Sequence, residues 1–205
     1  MARSGDARMK AERKTMDDDE LVWEKVRSEA GPELPLFSVR FDFMRHPTSA
    51  KTFKRLVLES VDWVNVVAVT RDGLVVTVEQ YRFGSGEIGT EPAAGIVSPG
   101  EPHLAAAKRE LLEETGYGNG DWRYLGSVQP NPAIHDNLCH HWLADGVVRL
   151  SEPSLDEGEA IRVRLMTPQE LREAVAAGRI RHTLALSALS RVFQLWEPSH
   201  PAVAG

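Results

Sequence analysis

The sequence predicts an α/β or α+β sandwich, and three features predict it. Two valine-rich runs of strand length, Trp63 to Thr70 and Leu74 to Phe83, flank Arg71-Asp72-Gly73. Asp-Gly between such runs signals a hairpin, because glycine accepts positive φ. A strongly helical stretch extends from Pro102 to Thr115, with Gly116 where a left-handed C-cap would end it. Thr167-Pro168-Gln169-Glu170 is a capping box with proline at the first helical position, which starts a further helix ending at Gly178. Strands interleaved with helices bury their apolar faces against one another, which gives the layered architecture.

The remaining elements follow in chain order. Residues 1 to about 33 read as an extension in which a polar, mobile tail leads into a short amphipathic helix. Asp17-Asp18-Asp19 precedes Leu21, Val22, Trp23 and Val26 there, and Gly31 is the stop. Leu36 to Met44 and Thr52 to Leu58 read as strands around the turn His46-Pro47-Thr48-Ser49. After the hairpin comes a glycine-rich loop with Gly84, Gly86 and Gly89; beyond the helix, Trp122 to Gln129, Leu138 to Ala144 and Ile161 to Met166 alternate as strands. A last helix covers about His182 to Trp196, ahead of Pro198. The chain thus divides into an extension over 1–33, additional strands over 34–60 and a main domain over 61–198.

With 42% hydrophobic and 26% charged positions in 205 residues, the chain can bury one sizeable core. A net charge of -6 opposes a broad basic surface for duplex nucleic acid. The N-terminus has no apolar h-region, and the apolar runs fall far short of the roughly 20 residues a membrane span needs. The single cysteine, Cys139, allows no internal disulfide framework and suits a reducing compartment, so the expected location is the cytoplasm.

The chemistry is concentrated between Gly95 and Tyr117. On a helix, Glu110, Glu113 and Glu114 are related by i, i+3 and i, i+4, which sets their carboxylates on one face with Cβ atoms about 5 to 6 Å apart. Such a group repels itself, and a divalent cation reverses the penalty. Mg²⁺ suits it, since this ion prefers carboxylate, carbonyl and water oxygens and commonly bridges to substrate phosphates; Mn²⁺ is the natural substitute. Ser98-Pro99-Gly100-Glu101-Pro102 makes a tight turn that returns Gly95 toward the carboxylates, and Arg109 can hold a glutamate with its fork of donors. A plain acidic helix face in solvent would need neither the fixed glycines nor Glu101.

Gly95, Glu101, Arg109-Glu110-Leu111, Glu113-Glu114 and Gly116 together resemble the signature G-x5-E-x7-R-E-U-x-E-E-x-G-U of the Nudix family, U being aliphatic. All seven fixed types and the first U match, for a chance expectation on the order of 10⁻⁶ in a chain of this length. Tyr117 is a departure at the final U. The resemblance implies an α/β/α sandwich with a mixed sheet, a Mg²⁺-dependent hydrolase, metal ligation by Glu110, Glu113 and Glu114, and orienting roles for Arg109 and Glu101, with Glu101 also a candidate ligand.

Three flanking stretches resemble the ADP-ribose and nucleotide-sugar pyrophosphatase branch: Glu79 to Gly84, Glu91 to Gly95 and Asp156 to Val163. The branch implies that Glu157 is the catalytic base, with Glu114 the rival for that role, that Glu159 is a further ligand, and that the carbonyl of Ala94 also meets the metal. Here proline falls one place early, at Pro92, which bears on how that carbonyl is set. Arg82 is a candidate contact to phosphate or terminal ribose, or simply an edge-strand arginine. Trp63 is a candidate for stacking on the base, or a core residue. His140 and His141, adjacent on a strand, point to opposite faces and make no metal pair.

The expected reaction is hydrolysis of the pyrophosphate bond between a nucleoside diphosphate and a sugar, releasing a nucleoside monophosphate and a sugar phosphate. Two other readings stay open: a Nudix hydrolase for dinucleoside polyphosphates, a coenzyme or a damaged nucleoside triphosphate, and a non-catalytic nucleotide sensor. The additional N-terminal strands, which members of this branch use for pairing, imply a homodimer.

Overall fold

The computed structural model describes residues 18–196. They fall into two compact units, divided after Leu58.

In the first unit a 3₁₀ turn, Asp18–Glu20, precedes β1 (Glu24–Glu33), β2 (Ser38–Arg45) and β3 (Thr52–Glu59), which form a sheet in that order. The amphipathic helix expected before Gly31 is therefore a strand, and the tail expected ahead of it lies outside the described residues. The physical reason lies in the cross-strand packing. A Cβ at Gly31 would stand 2.8 Å from Val39 Cγ1 and 3.0 Å from Phe41, so this glycine is a point of close approach to β2, not a helix stop. Pro32, tolerated near the end of an edge strand, would break a helix. Arg27 sits 3.4 Å over the Phe43 ring and Lys54 4.0 Å over Phe41. The His46 turn is as expected, with its Nδ1 accepting from the amides of Thr48 and Ser49, both at 3.2 Å.

The second unit is built on β4 (Trp63–Thr70), β5 (Val75–Arg82), β6 (Glu87–Glu91), β7 (Ala93–Ile96), β8 (Tyr117–Gly118), β9 (Asp121–Val128), β10 (Cys139–Arg149) and β11 (Ile161–Met166). Its helices are α1 (His103–Thr115), α2 (Pro168–Ala176) and α3 (Thr183–Ser190). The path β11-β5-β4-β10-β8 is mixed, with β4 and β10 parallel and the other pairs antiparallel.

Alternation along β4 decides which helix lies on which face. Val64, Val66 and Ala68 pack with Ala106, Ala107 and Leu111 of α1, whereas Val67 packs with Leu171 of α2 and Ala185 and Leu189 of α3. The fully buried Leu111 contributes about 2 to 3 kcal/mol in removed apolar surface. The result is the α/β/α sandwich with a mixed sheet.

β6 and β7 were not foreseen; the glycine-rich loop is a hairpin whose second strand runs through Gly89. They exist because β4 and β5 pair only at Ala68–Val69 with Val75–Val76 and then part. β6 fills the free edge of β5, Pro92 interrupts, and β7 fills the free edge of β4. α3 ends earlier than expected, because the chain turns after Ser190 and buries Leu195 in the α2/α3 core.

Candidate active site

β7 and α1 meet where β4 and β5 diverge, and the glycines of the motif show how closely. A Cβ on Gly95 would lie 2.0 Å from the carboxyl carbon of Glu110, so the missing side chain is the cradle that admits that carboxylate. Gly116 ends α1 at φ 73°, and a Cβ there would stand 2.1 Å from the carbonyl oxygen of Ser151. The first glycine makes room for a functional group, and the second docks the helix end against the chain beyond β10.

Arg109 binds the acidic cluster through its whole guanidinium. Its Nε and Nη2 donate to the two oxygens of Glu101 at 3.2 and 3.1 Å, and Nη2 also reaches the carbonyl of Ile96 at 3.1 Å. Nη1 donates to Glu110 at 2.7 Å and Glu113 at 3.0 Å. Glu101 further accepts from the amide of Ser98 at 3.1 Å, and its carboxyl is held below the usual range by Arg109 first and that amide second. One guanidinium thus ties β7, the turn and α1 together.

The two inner carboxylates are shifted the other way. Burial raises Glu110; Arg109 opposes, while the charges of Glu113 and Glu159 add to the rise. Glu114 is 5% exposed and is pushed up to about 8, chiefly by burial, with Glu110 and Glu159 adding to it. Its Oε2 accepts from the amide of Ala94 at 3.0 Å. Since N–H and C=O of one strand residue leave on the same edge, the carbonyl of Ala94 also faces away from β4.

The convergence expected of all three α1 glutamates is partial. Glu113 is 45% exposed and drawn onto Arg109, and among the described residues no three acidic, histidine or cysteine side chains already enclose a common point. Glu159, in the loop before β11, accepts from the amide of Asp156 at 3.1 Å, and its charge reaches both Glu110 and Glu114. Glu157 lies exposed on the turn two residues earlier.

Arg82 is neither a solvated edge arginine nor a freely disposed one. It grips the buried Glu91 through Nε at 2.7 Å and Nη2 at 2.9 Å, while its charge and that of Glu114 act on each other. His182 Nδ1 lies 2.6 Å from the same carboxylate. Neither Glu91 nor His182 was singled out as a site residue, and no sequence signal pairs positions so far apart. Trp63 is half-buried, edge-on to His135 at 6.0 Å. His140 stacks on His103 of α1 and His141 meets Ser187 of α3, so the pair does point to opposite faces.

A family model described as the NUDIX domain matches residues 61–186. The chain belongs to the Nudix family. Over 133 residues it is 32% identical to the methanol dehydrogenase activator of Bacillus methanolicus, and 30% identical to the ADP-ribose pyrophosphatase of Bacillus subtilis. Each match spans 64% of this chain and 72% of the relative. GDP-mannose pyrophosphatase of Escherichia coli is 26% identical over 156 residues, 71% of this chain and 81% of that one. A crystal structure of an ADP compounds hydrolase shares the fold, with a TM-score of 0.72 at 20% identity over 83% of this chain and 91% of that one. With these relatives, this Nudix protein is a pyrophosphohydrolase. No helix among its described residues is long and apolar enough to cross a membrane.

Proposed function

We propose that this Nudix protein hydrolyses, with Mg²⁺, the pyrophosphate bond of ADP-ribose or a nucleotide sugar, giving a nucleoside monophosphate and a sugar phosphate. The observation that carries the reading is the pair Glu110 and Glu114. One is seated in the hollow left by Gly95, the other is buried beside the Ala94 backbone, and both have a raised affinity for protons. Two sequestered, mutually repelling carboxylates with a strand carbonyl on the same side suit a hard divalent cation. Mn²⁺ fits the same donors.

Glu110, Glu114 and the Ala94 carbonyl would hold the ion, with Glu159 closing from the loop before β11 and Glu113 a peripheral ligand. When bound, the cation supplies charge neutralisation for the diphosphate and polarises a phosphorus. Arg109 and Glu101 keep the carboxylates oriented. Glu157 takes the proton of the attacking water as the new P–O bond forms and the anhydride P–O bond breaks. It is favoured over Glu114 because the latter is buried and committed to the Ala94 amide. Arg82 meets a phosphate, and Trp63 flanks the base. The protein acts as a cytoplasmic homodimer paired through the N-terminal sheet, which exposes Val26, Phe53 and Leu56.

The test is a panel of ADP-ribose and nucleotide sugars incubated with Mg²⁺, with products identified by mass. Cleavage to monophosphate and sugar phosphate is expected, and Glu114→Gln should lower turnover about 10²-fold. Turnover within threefold of wild type in that variant would defeat the assignment.

A further inference from the structure

Glu91, at the end of β6, is 2% exposed, and both of its oxygens are engaged. Arg82 takes Oε1 at 2.7 Å and Oε2 at 2.9 Å, and His182 Nδ1 comes to Oε2 at 2.6 Å, all three residues lining one cavity. That cavity, about 900 Å³, lies between the β5–β6 hairpin and the segment joining α2 to α3. His182 occupies the N-cap position of α3 yet makes no capping bond with its side chain. The ring nitrogen that could serve the helix goes instead to a carboxylate far away in the chain.

Electrostatics explain what this arrangement does. Arg82 is 42% exposed on its side chain and has a long stem, and Glu114, when ionised, adds a weaker attraction to that of Glu91. If the guanidinium swung onto Glu114, it would neutralise the carboxylate that a cation needs. A Glu91 fixed at both ends denies it that freedom, because the carboxylate cannot rotate to follow the arginine. We infer that His182 is a positioning residue: through Glu91 it holds Arg82 on the cavity wall, where the guanidinium meets a diphosphate ligand, and away from the acidic cluster of α1.

The inference rests on the proposed diphosphate substrate, and the experiment separates the two. His182→Phe keeps the ring volume without a donor; His182→Asn keeps a donor near the position of Nδ1. With the nucleotide sugar or ADP-ribose that wild type turns over best, the Phe variant should raise KM about tenfold with kcat within threefold, the cost of one charge-assisted hydrogen bond. The Asn variant should recover most of that loss. In an Arg82→Ala background, His182→Phe should add nothing, as expected for residues acting in one chain. Calorimetry of ADP with Mg²⁺ reads the same comparison without turnover, so a wild type that hydrolyses none of the compounds would sink the functional reading alone. KM and ADP affinity unchanged in the Phe variant, no recovery with Asn, or losses that multiply in the double variant would overturn the role of His182.

Discussion

At Glu114 the protein keeps a carboxyl group whose pKa is pushed up to about 8 from 4.5, chiefly by burial, so at neutral pH the metal-free side chain is mostly protonated. A raised carboxyl contributes stability that is fully present below 4.5 and lost as pH rises through about 8. A bound cation must displace that proton. Calorimetry at pH 7 in buffers of different ionisation heat should therefore show proton release on Mg²⁺ binding, with affinity rising as pH approaches 8. The release should fall in Glu114→Gln, leaving the share of Glu110. Glu91 runs the opposite way: held down to about 2 by His182 and Arg82 against its burial, it stabilises the fold above 4.5 and loses that contribution as pH falls through about 2. Gly95→Ala separates function from folding. The added Cβ meets the far end of the Glu110 side chain, which can move aside, so thermal stability should change by less than about 1 kcal/mol. Cation affinity and kcat/KM should fall at least about tenfold, since Glu110 loses its seat.

The helix α1 carries most of the candidate site, and its C-terminus is fixed by backbone geometry. Gly116 has φ 73°, donates its amide to Leu112 at 2.8 Å, and accepts at its carbonyl from Leu150 at 2.8 Å. An alanine there is strained by its φ and also meets the Ser151 carbonyl, so Gly116→Ala should destabilise by more than about 1 kcal/mol in urea unfolding, unlike Gly95→Ala. This helix was legible in the sequence because its stop and its glutamate spacing are local. So was α2, whose Thr167–Glu170 capping box forms with both bonds, 3.2 and 2.8 Å. β6 and β7 were hidden because Gly89, Pro92 and Gly95 read as breakers, whereas their pairing arises from the divergence of β4 and β5. β1 was hidden because Leu21, Val22 and Val26 carry helical spacing, whereas its pairing with β2 and the approach of Gly31 to Val39 depend on residues farther along the chain. The Nudix segment could be read from residues a few positions apart; Glu91 and His182 could not.

Across the whole molecule the net charge is -6, and in the proposed reading the positive charge that meets a phosphorylated ligand comes from Arg82 and a cation, Arg109 being taken up by Glu101, Glu110 and Glu113. The N-terminal sheet buries little by itself, with Val39 and Asp42 its buried residues among those described. Multi-angle light scattering should give twice the mass of one chain, and replacing Phe53 and Leu56 by aspartate should halve it. Crystals soaked with Mn²⁺ and a non-hydrolysable nucleoside diphosphate sugar provide the decisive view. An anomalous peak should stand about 2.1 Å from carboxylate oxygens of both Glu110 and Glu114 and beside the ligand's phosphates. A ligand bound with no ion between those two side chains, or an ion held elsewhere, would contradict the assignment.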